Sequence, residues 1–122
     1  MRWVVDIPRW HPARVNQLLG GHWARGHKLK SRDRFMVLAY ARDAKVPPAT
    51  GRRRVRLKIV LLPGQRGGDP DCYFKSLLDA LTGCGALADD NRQHVELAPV
   101  EYERGTRDDW GTVITLEDVP CP

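Results

Sequence analysis

The chain is 122 residues long, 42% hydrophobic and 29% charged, with a formal net charge of +5 at pH 7. That length fits one domain, 1–122, around one core, and that composition excludes a disordered or low-complexity chain. Cys72, Cys84 and Cys121 are widely spaced and odd in number, which excludes a disulfide frame or zinc site and predicts reduced thiols. No apolar run approaches membrane-spanning length and the first residues lack a signal-peptide core, so a cytoplasmic protein with no membrane partner is expected.

The charge is divided unevenly. Residues 1–56 hold 14 Lys and Arg against 3 acids, a net +11, and residues 57–122 hold 6 against 12, a net −6. A basic half joined to an acidic half suits a protein that grips a polyanion and holds a cation. The same asymmetry also describes a basic protein with an ordinary solvated surface.

Residues 2–7 alternate Trp3, Val5 and Ile7 with Arg2, Val4 and Asp6, which predicts a strand ended by Pro8. Residues 9–30 have weak periodicity, Gly20, Gly21 and Gly26 interrupt them, and they read as a basic loop or arm. Within it Arg14, Arg25, Lys28 and Lys30 are candidates for phosphate contacts, and Trp10 and Trp23 for stacking on bases or, more simply, for packing. His11, His22 and His27 lack metal-ligand spacing and read as polar surface or DNA-facing groups. Ser31 can cap a helix to about Ala44 with Phe35, Leu38, Ala39 and Arg42 on one face, closed by Pro47-Pro48. Arg32 and Arg34 extend the basic surface on its other side.

Val55, Leu57, Ile59 and Leu61 alternate with Arg54, Arg56, Lys58 and Val60, the pattern of a half-buried strand. The loop after it carries Arg66, placed to reach a phosphate. Val95, Leu97, Val100 and Tyr102 suggest a strand interrupted by Pro99, hence an edge strand or a bulge. Thr112, Ile114 and Leu116 mark a last strand, and 118–122 a tail. The order strand, helix, strand, helix, strand, strand predicts an α+β domain: about four strands in a mixed sheet, with two helices on one face.

The chemistry concentrates between Gly68 and Asn91. Asp69 can cap a helix, Pro70 fits its first turn, and Gly83 or Gly85 can stop it. Phe74, Leu77, Leu78 and Leu81 make an apolar stripe, and Asp71, Lys75 and Asp79 a charged one beside it. Should the next strand run back along this helix, a third carboxylate from Asp89-Asp90 could join Asp69 and Asp71. Clustered carboxylates favour a hard divalent cation, Mg²⁺ or Mn²⁺, and such a site hydrolyses phosphoryl bonds. A lysine one turn away could protonate the leaving oxygen or offset charge. The plainer alternative is a capping Asp69, an Asp71 that favours the helix dipole, and a surface Lys75–Asp79 pair.

The pattern Asp69-x-Asp71, Lys75, Asp79-Ala80-Leu81-Thr82, then Asp89-Asp90 resembles the RusA family of Holliday-junction resolvases, over about 22 residues. The resemblance implies a small two-fold dimer that cuts four-way DNA junctions symmetrically with Mg²⁺, Mn²⁺ being a possible substitute, and no other small-molecule cofactor. It implies that Asp69, Asp71 and Asp90 bind the metal and that Lys75 is catalytic. Asp79, two turns from the helix start, is better placed to orient Lys75 than to bind metal. Asn16 resembles a polar position of that family. The family's usual Asn after the second Asp is Cys72 here. Two other readings compete: a DNA-structure-binding protein without catalysis, and a metal-dependent nuclease or phosphohydrolase acting on RNA or nucleotides.

Overall fold

The structure, a computed structural model, describes residues 1–14, 23–68 and 70–120, without the side chains of Trp23 and Pro70. Asp69, Asn16, His22 and Cys121 therefore lie outside the described residues, as does the side chain of Trp23. The elements run β1 (Arg2–Pro8), α1 (Trp23–Asp43), β2 (Arg53–Leu61), a 3-10 turn (Pro70–Tyr73), α2 (Phe74–Gly83), β3 (Val95–Leu97), β4 (Glu101–Arg104) and β5 (Gly111–Asp118).

The five strands form one mixed sheet ordered β1-β5-β2-β3, with β4 also on β2. β5 lies antiparallel between β1 and β2, pairing Ile114 with Val5 and with Leu57. β3 and β4 run parallel to β2, the first along Arg53–Val55 and the second along Lys58–Leu61. The sheet has five strands where about four were expected, because the segment around Pro99 splits what read as one strand into two. Proline cannot donate to a ladder, so it interrupts an edge without disturbing the central strand.

The α+β class and the placing of the helices on one face follow from strict alternation. Val5, Ile7, Val55, Leu57, Ile59, Leu61, Ile114 and Leu116 are all buried and form one core with Val37, Phe74, Leu77 and Leu81 of the helices. The opposite face keeps Val4 and Arg56 exposed. Burying one such branched side chain stabilises the fold by about 1.5–3 kcal/mol. Arg53, 2% exposed, locks the start of β2: it donates to the carbonyls of Pro47 and Ala86 and to Asp118, with its guanidinium 4.5 Å from the centroid of the Trp3 ring.

Three expectations about the helices are corrected. Residues 23–30 are helical and not part of a loop, so Ser31 lies inside α1 and caps nothing. Gly26 is buried within that helix, where glycine costs about 1 kcal/mol against alanine but does not break it. The core face of α1 is Asp33, Val37 and Ala41, while Phe35 is 70% exposed and Leu38 and Ala39 are half-buried. An aspartate on the buried stripe hid that face from a hydrophobicity reading. Finally, α2 begins at Phe74, and Tyr73 at its N-cap makes no side-chain capping bond. Asp71 therefore sits in the preceding 3-10 turn, whose tighter winding breaks the four-residue register it would share with Lys75 and Asp79 in one α-helix. At the other end the expectation holds: Gly85, at φ +84°, takes the left-handed position just past the helix.

No helix among the described residues is long and apolar enough to cross a membrane.

Candidate functional site

The start of α2 is held by two tyrosines. Tyr73 is fully buried and its hydroxyl donates to the Gly67 carbonyl at 2.7 Å. Tyr102, delivered by β4, donates to the Gly68 carbonyl at 3.0 Å. A β-carbon on Gly67 would stand 2.6 Å from the Tyr102 ring, so only glycine lets the loop lie this close. Burial pushes the Tyr73 phenol above its ordinary value, against the opposing pull of Arg14. Together these rings set the path of the two glycines that precede Asp69.

At this end of α2, Asp71 and Lys75 are both exposed. Neither forms a hydrogen bond or an ion pair with a described residue, and no ion pair joins Lys75 to the half-buried Asp79. The surface-pair alternative for Lys75 and Asp79 is thus not formed, nor is the direct contact by which Asp79 would orient Lys75. Arg14 lies alongside: its Nη2 donates to the Arg66 carbonyl at 3.2 Å and its guanidinium is 5.7 Å from the centroid of the Tyr73 ring. The Arg66 side chain is exposed in the same loop. Arg104 Nη1 holds that loop from the other side, donating to the carbonyls of Leu62 and Gln65.

Asp89 and Asp90 have different jobs. Asp89 Oδ1 accepts the Asp90 N–H at 2.7 Å and its Oδ2 accepts from Asn91 Nδ2 at 3.2 Å, so this carboxylate shapes its own loop. The Asp90 carboxylate is exposed and makes no such bond among the described residues.

α2 runs antiparallel to β2, from the Gly67 contact at its start to the Ala86 carbonyl that meets Arg53 at its exit. The following strands do run back along it, but what they return to the helix start is Tyr102. Asp90 precedes them, in the connection that leaves the helix exit. Asp71 and Asp90 therefore flank α2 in the chain, with about 15 Å of helix between the flanks. Among the described residues no group of three His, Cys, Asp or Glu side chains gathers to hold a metal ion. The donor chemistry at Asp71 and Asp90 nevertheless suits a hard cation, since both are exposed carboxylates uncommitted to protein cations.

The other expected DNA contacts are spread over α1, where Arg25 and Lys28 are exposed and Lys30 is half-buried. Trp10 is 4% exposed and its indole N–H donates to Asp33, so it is core and not a stacking platform. His27 is exposed, whereas His11 is half-buried with Nε2 2.9 Å from the Val60 carbonyl.

Sequence reasoning missed Asp33, Tyr73 and Tyr102. Asp33 is 0% exposed and accepts from Trp10, the Ala13 N–H, Ser76 Oγ and the Arg32 guanidinium. It fixes the 10–13 segment, and thus the root of Arg14, against both helices. The signal available was the lone acid, Asp33, between Arg32 and Arg34.

Comparison with models of protein families gave no match, and comparison with curated proteins gave none.

Proposed function

We propose that this chain is a Mg²⁺-dependent endonuclease that resolves four-way (Holliday) DNA junctions by paired symmetric nicks, as its resemblance to the RusA family implies. One observation carries the reading: an uncommitted carboxylate, Asp71, and an uncommitted ammonium, Lys75, are exposed at the start of α2, two residues to either side of Tyr73, against whose ring the Arg14 guanidinium lies. A phosphodiester lying there meets cationic groups for its oxygens and a carboxylate suited to a cation. The resemblance assigns Asp69, Asp71 and Asp90 to Mg²⁺. With Asp71 and Asp90 at opposite ends of α2, the geometry supports Asp71, beside Asp69 in the chain, as the carboxylate for that ion. When bound, the ion would supply Lewis acidity toward the phosphate and lower the pKa of water. Lys75 offsets the charge that grows on the phosphate or on the leaving oxygen. A junction with two-fold symmetry calls for two such sites, hence a two-fold dimer.

The second reading, a DNA-structure-binding protein without catalysis, draws on the flanking of α2 by Asp71 and Asp90. Labelled four-way, duplex and single-stranded DNA and RNA, each with and without Mg²⁺, separate the possibilities. Symmetric nicking of the four-way DNA only with the metal supports the nuclease. Junction binding without cutting by Mg²⁺ or Mn²⁺ supports the second reading, and preferential cutting of RNA overturns the DNA assignment.

A further inference from the structure

Phe35 is 70% exposed on α1, more than any other aromatic ring among the described residues. At about 100° of turn per residue it points away from the buried stripe of Asp33, Val37 and Ala41, and Lys28, Ser31 and Arg42 fall within about 40° of it. Lys28 and Arg42 flank it along the axis, about 10 Å to either side. Arg34 stands on the flank toward α2, at the rim of an apolar cleft of about 180 Å³ completed by Leu38, Ala80, Gly83 and Cys84. The side chains of Lys28, Arg34 and Arg42 are exposed, and none forms a hydrogen bond or ion pair with a described residue. Of the acids on α1, Asp33 is buried and Asp43 is the last residue of the helix. Asp79 of α2 is half-buried and pairs with none of the three cations. A single exposed ring needs no explanation, but one set among uncommitted cations does.

We propose that the outer face of α1 binds single-stranded nucleic acid, with Phe35 stacking on one unpaired base while Lys28, Arg34 and Arg42 hold the phosphates around it. Every base has a π-face, so an aromatic platform within a cationic track takes any sequence and adds affinity that phosphate contacts alone do not. The apolar cleft beside Arg34 offers a seat for the sugar or base that follows the stacked one. Charge decides between this occupant and a second copy of the chain. Two copies laid face to face would bring Lys28, Arg34 and Arg42 of each against those of the other, which repel, whereas a strand of phosphates meets all three with opposite charge. On the nuclease reading, on which the assignment to junction DNA rests, the stacked base is one left unpaired where the four arms meet.

The test compares binding of two labelled strands of equal length, oligothymidine and its abasic counterpart, to the full chain without divalent metal. Phe35→Ala should weaken binding of the thymidine strand by about tenfold and leave the abasic strand unchanged, and Phe35→Trp should keep the wild-type preference. Arg42→Ala should weaken both strands alike and flatten the salt slope of each by about 0.7. In the wild type, NMR signals of the Phe35 ring should move upfield with the thymidine strand and not with the abasic one. Equal affinities of wild type and Phe35→Ala for the thymidine strand, equal losses on both strands, or a wild type that binds neither strand overturn the proposal. So does sedimentation showing a dimer that Phe35→Ala dissociates while strand affinity is unchanged, which gives the face to a second copy. No cleavage is read, so a chain that passes and leaves four-way DNA uncut in Mg²⁺ keeps this face and loses the nuclease reading. A chain that cuts the junction with strand affinities indifferent to Phe35 keeps the nuclease reading and loses the face.

Discussion

Ser76 Oγ donates to Asp33 Oδ2 at 2.6 Å, joining the middle of α1 to α2 one residue beyond Lys75. The same carboxylate accepts from Trp10, Ala13 and Arg32, so a single buried acid positions the 10–13 segment, α1 and α2 relative to one another. Asp33→Ala would strand those donors in the core and should cost about 3–5 kcal/mol of stability. Ser76→Ala removes one donor from an acceptor that keeps three others, and should cost about 1–2 kcal/mol. Urea unfolding of the two variants measures both values, and equal small losses would show that Asp33 is not the organising group.

The loop before Asp69 depends on the Gly67–Tyr102 approach. Gly67→Ala should push the Tyr102 ring away and loosen the Gly68 carbonyl it holds, lowering junction cleavage while leaving the melting temperature nearly unchanged. Tyr102→Phe keeps the ring but removes the hydroxyl that holds the Gly68 carbonyl, and should lower the rate in the same direction. Full cleavage by Tyr102→Phe would contradict this account of the loop.

His11 makes stability depend on pH in a defined direction. Its folded pKa lies below the ordinary 6.5, so the unfolded chain takes up the proton first as pH falls. The His11 contribution is therefore complete above about pH 6.5 and declines as pH drops from there through the lowered folded value. Unfolding free energies of the wild type and His11→Gln between pH 8 and pH 5 should converge toward the acid end. Parallel curves would show that His11 is not held neutral by its surroundings.

Much of the fold was legible because alternation survives translation into structure. Val55, Leu57, Ile59 and Leu61 read as one face of a strand and are one face of β2, since a two-residue period leaves no choice of side. The stripe on α2 was equally plain: Phe74, Leu77 and Leu81 are buried and Leu78 is half-buried. Helix α1 was not plain. Its buried face contains Asp33, whose burial is stabilised by donors from residues 10, 13 and 76 that no local pattern reveals, while Phe35 faces water. The start of α2 was misplaced because Pro70 fits the first turn of either helix type, and here the turn is 3-10. At the site, the sequence showed which carboxylates carry charge but not that β4 returns Tyr102 to the head of α2. Pairing between β4 and β2 joins segments some forty residues apart, and only the folded sheet brings them together.

Binding of four-way DNA should weaken steeply with salt if Arg14, Arg25, Lys28 and Arg66 meet phosphates. Each such contact adds about 0.9 to the slope of log affinity against log salt on duplex arms, so Arg25→Ala should flatten the slope by about one. A slope unchanged by the substitution would place DNA away from that face of α1.

The most direct test of the central claim is the single-turnover rate of four-way junction cleavage by wild type and Asp71→Asn in Mg²⁺, with junction affinity measured alongside in its absence. A carboxylate that serves the reaction predicts a rate lowered at least about tenfold with affinity essentially retained. An Asp71→Asn chain that cuts as fast as wild type, or a wild-type chain that leaves the junction intact with Mg²⁺ present, would contradict it.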